Sequence, residues 1–256
     1  MASNHGFIWY ELLTSDPVAA ARFYGAVIGW TAADSGQKDM DYRFFSMNGV
    51  AIGGLMALPP GAAESGMRPG WLGYVAVDDV DRSVAQFIAG GGSELMPAMD
   101  VEGAGRMALV ADPQGAALYL MTPVGDGPAT SYAPGKPGHG GWHQLHTKDW
   151  SAALAFYREQ FGWRKAGELD MGPMGTYLQF DAGSGEMIGG MMNDAAAARP
   201  HWMYCFNVAD IHAAHQRLLA SGGVALMPPH EVPGGNWAMF ARDPQGAAFM
   251  MVGPKP

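Results

Sequence analysis

Apolar residues recur along the chain with two periods, and the periods take turns. Residues 7–14, FIWYELLT, mix aromatic and aliphatic side chains in a short run that predicts a strand. Ala20, Phe23, Tyr24, Val27 and Ile28 then fall at the i, i+3, i+4, i+7, i+8 positions of an amphipathic helix. Asp16 and Pro17 supply its N-cap and first helical residue. Two or three short strands follow, in DYRFFSM and VAIGGLMAL. WLGYVAV predicts another strand, leading into a helix that begins near Asp79 with Val80, Val84, Phe87 and Ile88 on one face and stops at Gly90-Gly91-Gly92. Strands around GRMALVAD and ALYLMT close this second strand-helix-strand group.

The same order then repeats. TSDPVAAARFYGAVIGW (Thr14 to Trp30) returns 133 residues later as TKDWSAALAFYREQFGW (Thr147 to Trp163). DPQGAA at Asp112 returns 131 residues later at Asp243. Ala153, Phe156, Tyr157 and Phe161 repeat the first helix, with Gln160 as a polar substitution, and Ile211, Ala214, Leu218 and Leu219 repeat the second. TYLQF, EMIGGMM and WMYCFNV repeat the strands, and Gly222-Gly223 the helix stop. In DPQG, Pro sets φ and Gly takes the left-handed position of a turn between the last two strands. The chain is a tandem duplication. One domain spans 1–123, a Pro/Gly-rich linker 124–140 and the second domain 141–256. Each holds two βαβββ units, which makes the fold class α+β.

Composition narrows the functional classes. A length of 256 residues with 48% hydrophobic residues suffices for two cores, and the net charge of −9 with no Lys or Arg run argues against nucleic acid and anionic membrane surfaces. No signal peptide and no bilayer-spanning run is read. The single cysteine, Cys205, fits a reducing, cytoplasmic setting and, in its apolar strand, an inert thiol. Nucleotide-binding loops and serine-nucleophile elbows are missing. His212 and His215 stand three apart on a helix, where burial of a neutral histidine competes with a metal clip.

LLTSDPVAAARFYGAVIGW, VAVDDVDRSVAQFIAGGG and DPQGAALYL, with their second-half copies, resemble the vicinal oxygen chelate superfamily: glyoxalase I, extradiol dioxygenases and bleomycin-resistance proteins. The resemblance covers nearly the whole chain. It implies tandem glyoxalase-like domains, four βαβββ units forming two curved mixed sheets around cavities, and a divalent metal held by His on first strands and Glu on last strands. At the matching positions stand Trp9, Leu72 and Tyr119 in the first domain, and Trp142, Met203 and Met250 in the second. Gly53-Gly54 and Gly189-Gly190 occupy the remaining ligand region. Trp and Leu cannot ligate a hard or borderline metal, and Met and neutral Tyr do so poorly. No cofactor is therefore expected at the usual site.

Strand alternation sets Glu11 and Leu13 on the face of Trp9, Gln144 and His146 on the face of Trp142, and Tyr74 beside Leu72. Aromatic and sulfur-rich walls with few polar groups suit a small apolar or aromatic molecule. Substrate-binding candidates are Trp9, Tyr74, Tyr119, Trp142, Gln144, His146, Met203, Met250 and Arg106, the last as an anion anchor. Glu11, if buried, is the candidate general base of a cofactor-free lyase or isomerase step, with cavity filling and a solvated carboxylate as the competing readings. Two alternatives stay open: a metal-dependent glyoxalase, lyase or dioxygenase with atypical ligands (Glu11, Gln144, His146), and an interaction protein with filled cavities. Either a monomer or a homodimer fits.

Overall fold

A computed structural model describes residues 5–37, 40–62, 64, 66–125 and 129–255. The first repeat runs β1 (Phe7–Thr14), α1 (Pro17–Val27), β2 (Thr31–Asp34), β3 (Tyr42–Met47), β4 (Val50–Ala57), β5 (Gly70–Ala76), α2 (Val80–Ala89), β6 (Ser93–Val101), β7 (Gly105–Ala111) and β8 (Ala117–Pro123). The second runs β9 (Gly140–Thr147), α3 (Trp150–Phe161), β10 (Arg164–Asp170), β11 (Thr176–Asp181), β12 (Met187–Asn193), β13 (His201–Asn207), α4 (Ile211–Ala220), β14 (Val224–Glu231), β15 (Trp237–Arg242) and β16 (Ala248–Gly253). The architecture is α+β, with four βαβββ units. Each repeat contributes one eight-stranded mixed sheet, ordered β2-β3-β4-β1-β5-β8-β7-β6 and β10-β11-β12-β9-β13-β16-β15-β14.

Each helix starts at an aspartate whose carboxylate accepts a backbone N–H: Asp16, Asp79, Asp149 and Asp210. The expected apolar stripes are buried apart from Ile88 and Leu219, which are about half exposed. Four strands that the sequence did not single out, β2, β6, β10 and β14, are the four sheet edges. Their side chains are mostly exposed, so they lack the burial that imposes alternation. Pro97 in β6 and Pro228-Pro229 in β14 are tolerated because an edge strand need not donate on its outer side.

The chain divides into two compact units, and each draws half of its mass from each repeat. One unit comprises residues 1–8, 73–128 and 142–203. In it Phe87 on α2 meets Phe156 on α3 edge to face at 4.9 Å, and the core includes Phe161, Trp163, Phe180 and Trp202. The other comprises Trp9–Leu72, Ala129–Gly141 and Tyr204–Pro256, with Tyr24, Trp30, Phe45, Trp71, Phe206 and Phe249 buried together.

The repeated turn is the lock of each unit. In DPQG of the first repeat, one Asp112 oxygen accepts the Gln114 and Ala116 backbone N–H groups at 2.9 Å, and Gly115 takes φ +101°. The other oxygen accepts the hydroxyl of Tyr157, from the second repeat's α3, at 3.0 Å, while that hydroxyl receives the Trp202 indole N–H at 3.1 Å. Gln114 brackets the start of α3 by donating to the Asp149 carbonyl and accepting the Asp149 N–H. The second unit repeats the device: Tyr24 donates to Asp243 at 3.1 Å and receives Trp71 at 2.9 Å, and Gly246 takes φ +106°. The part of the expected linker that is described is tied down. Asn207 binds Gly135, Ala133 and His139 backbone groups, and Trp30 donates to the Gly138 carbonyl. Linker residues 126–128 lie outside the described residues.

Candidate functional site

The candidate face is set by period two. In the second repeat, register pairs Gln144 with Gly190, His146 with Met192, and Tyr177 with Met192. Paired residues point to the same face of a sheet, so Trp142, Gln144, His146, Tyr177 and Met192 share one face, while Leu178 and Phe180 turn into the core. In the first repeat, Glu11 pairs with Gly54 and Tyr42 with Met56, which puts Trp9, Glu11, Tyr42 and Phe44 on the equivalent face.

On both faces a tyrosine lies across a glycine. A Cβ at Gly54 would overlap the Tyr42 hydroxyl, and one at Gly190 would overlap the Tyr177 ring. Glycine is required there so that the ring can sit down on the sheet. Each tyrosine oxygen then receives the first-strand indole: Trp9 Nε1 donates to Tyr42 at 3.1 Å, and Trp142 Nε1 to Tyr177 at 2.7 Å.

In the second repeat this contact continues into a polar chain. The Tyr177 hydroxyl donates to Gln144 Oε1 at 3.1 Å, Gln144 Nε2 lies 2.9 Å from His146 Nε2, and His146 Nδ1 lies 2.8 Å from Asp194 Oδ2. His201 stacks on His146 with centroids 4.9 Å apart and planes 4° from parallel. Burial, the largest influence, pushes the His146 imidazole below its ordinary value, and the Asp194 hydrogen bond opposes it. In the first repeat Leu13 stands in place of His146 and Leu58 in place of Asp194.

The remaining expected residues divide. Glu11 is buried on the Trp9 face, at 4% exposure. Tyr74 and Tyr119 are register partners whose rings stack at 4.3 Å. Met203 and Met250 are buried on β13 and β16, and Cys205, the register partner of Met250, has its thiol pushed well up by burial. Arg106 is a correction. It pairs with Thr122, whereas Tyr119 pairs with Leu109, so alternation turns Arg106 to the opposite face. There its guanidinium is engaged by Asp81 at 2.7 Å and Asp100 at 3.2 Å, and it joins no anion-binding group with Tyr119. Tyr42, Tyr177, Asp194 and His201 were not anticipated. The two tyrosines carried a usable signal, since both stand at matched positions ahead of a Gly-Gly pair in each repeat. Asp194 and His201 have no such counterpart.

The donor chemistry does not fit the divalent metal that the resemblance implies. At the ligand positions the indoles donate their N–H groups and have no lone pair to give, Leu72 has no donor, and the glycine positions have no room for a ligating side chain. Of the atypical set, His146 has both ring nitrogens engaged, one by Gln144 and one by Asp194. Among the described residues no group of three or more His, Cys, Asp or Glu is placed to hold a metal ion.

The fold and these faces define a tandem βαβββ protein of the glyoxalase type. The chain belongs to the glyoxalase/bleomycin resistance protein/dioxygenase superfamily, whose model matches residues 6–120 and 140–251. It is 36% identical over 252 residues, 97% of this chain and 94% of the relative, to a Mycobacterium tuberculosis protein provisionally named glyoxylase CFP32. It is 34% identical over 260 residues, 95% of this chain and 91% of the relative, to the anthracycline biosynthesis protein DnrV of Streptomyces peucetius. In fold it is similar to the Mn(II)-bound glyoxalase of Novosphingobium aromaticivorans, with a TM-score of 0.69 and 15% identity over 98% of this chain and 83% of that one. It is also similar to the 2,3-dioxygenase LapB of Pseudomonas sp. KL28, with a TM-score of 0.66 and 14% identity over 98% of this chain and 92% of that one. No helix among the described residues is long and apolar enough to cross a membrane.

Proposed function

We propose that this protein binds a small planar aromatic molecule without a metal, in a reducing cytoplasmic setting. The observation that carries the reading is the tyrosine laid over glycine beside a donating indole, in both repeats, where relatives of this type place metal ligands. Flat aromatic faces and methionine offer dispersion and stacking to a planar ligand, and the few polar atoms fix its orientation. The relatives named for anthracycline biosynthesis support the same ligand class, since an anthracycline is a planar polycycle.

Glu11 is the residue assigned to any turnover. It is a buried carboxylate among aromatic side chains, suited to taking a proton from a carbon or hydroxyl made acidic by an adjacent carbonyl. That chemistry is confined to the first repeat, because Gln144 stands in its place in the second. Glu11→Gln is expected to abolish turnover of an isomerisation or lyase substrate while ligand affinity stays within about threefold. Unchanged turnover removes Glu11 as the base.

Binding is tested by thermal shift and calorimetry with polycyclic phenols and quinones on chelator-treated protein. A ligand at a hundred times its Kd raises stability by about 2.7 kcal/mol.

A further inference from the structure

The polar chain of the second repeat has a direction, and the direction selects a ligand. The Trp142 indole at one end can only donate, and the Asp194 carboxylate at the other can only accept. Tyr177, Gln144 and His146 between them can each do both. With the two ends fixed and the imidazole neutral, as its burial favours, one arrangement satisfies every link. Trp142 N–H donates to the Tyr177 oxygen, Tyr177 O–H to Gln144 Oε1, Gln144 N–H to His146 Nε2, and His146 Nδ1–H to Asp194. The second Gln144 N–H points at Met192 Sδ, 3.5 Å away. The imidazole is held as its Nδ1–H tautomer, and turning the glutamine amide over would set its oxygen against the Nε2 lone pair.

The geometry points to a second, selective binding site on this face, one that takes a phenolic or enolic hydroxyl. This rests on the reading that the ligand is a planar aromatic. The Tyr177 hydrogen is committed inward to Gln144, so a ligand that reaches the hydroxyl meets oxygen lone-pair density. Donation along the chain polarises that oxygen further and makes it a stronger acceptor. A ligand hydroxyl can donate to it, whereas a methyl ether or an isolated carbonyl offers no hydrogen. Trp142, Tyr177 and Met192 are each partly exposed and provide the apolar surface beside it. Asp194 and His146 act through Gln144 and Tyr177 as positioning residues. Leu13 and Leu58 stand at the positions of His146 and Asp194, so the histidine–aspartate end of the chain belongs to the second repeat.

The test is calorimetric titration of the full chain with 2-naphthol and with 2-methoxynaphthalene, a pair differing in the donated hydrogen. The wild type is expected to prefer the naphthol by about tenfold, the worth of one net hydrogen bond. Tyr177→Phe is expected to bring the two affinities within about twofold. Asp194→Asn, whose amide can donate to His146 and let the chain run in reverse, is expected to shrink the preference while leaving the ether's affinity unchanged. A merely structural role for Asp194 would lower both affinities together. Equal binding of the two probes by the wild type, or a preference untouched by Tyr177→Phe, overturns this inference and leaves planar-ligand binding standing. A preference lost in Tyr42→Phe instead moves the site to the first repeat and overturns it as well. Binding of neither probe overturns both readings.

Discussion

Tyr157 and Tyr24 each serve two buried partners with one oxygen, and that sets what their loss costs. Tyr157→Phe removes the donor to Asp112 and the acceptor of Trp202 in a single step. Leaving such groups unmatched is expected to cost about 2 kcal/mol, read as a shift in urea midpoint at unchanged slope, and Tyr24→Phe should match it. His143 sets the pH response. Complete burial drives its imidazole down to about 3, while its Nδ1 contact with the Ile188 carbonyl opposes the shift. A base whose folded value is depressed favours folding above its unfolded value, so this contribution is intact above about pH 6.5 and is lost as pH falls toward 3. His143→Phe is expected to flatten the stability loss between about pH 6 and 4, at a cost of about 1–3 kcal/mol at neutral pH from the abandoned carbonyl. An unchanged acid limb in urea titrations would assign acid sensitivity to other groups. At this scale the sequence is enough to put Trp9 with Glu11, and Trp142 with Gln144 and His146, on shared faces, because alternation along a strand sets them. It could not disclose Asp194, which reaches His146 from a loop that has no period.

At the level of elements, what was legible follows burial. The four helices and twelve inner strands carry apolar periods or repeated motifs. The four edges carry neither, since β10 reads RKAGELD and β14 is interrupted by Pro228-Pro229. The pairing of β11 with β12 shows how an element serves a site: the β12 backbone leaves Gly190 bare, and the Tyr177 ring occupies that space. Gly190→Ala is expected to displace Tyr177, separate it from Trp142 and Gln144, and destabilise the protein by about 1–3 kcal/mol through overpacking. It should also erase the hydroxyl preference argued above. Wild-type stability with that preference intact would show that Tyr177 does not depend on the bare backbone.

For the whole molecule, duplication was readable from sequence but the packing partners were not. DPQG looked like a local turn signal in each repeat, yet Asp112 is held by a tyrosine 45 residues away in the other repeat, and Asp243 by one 219 residues away. No local pattern encodes a partner at that separation. Because each compact unit is assembled from both repeats, the repeats are not expected to unfold one after the other. Tyr157→Phe, a change in the second repeat, should speed amide exchange in the first repeat's hairpin between Val110 and Leu118. Exchange confined to the second repeat would contradict the lock.

On the proposed reading, aromatic side chains hold the planar ligand without the divalent metal that the resemblance implies. The most direct measurement is the affinity of chelator-treated protein for a planar polycyclic phenol, taken with and without added Mn(II), Fe(II) or Zn(II). The same Kd is expected in every case. Binding that appears only when a metal is restored would contradict it.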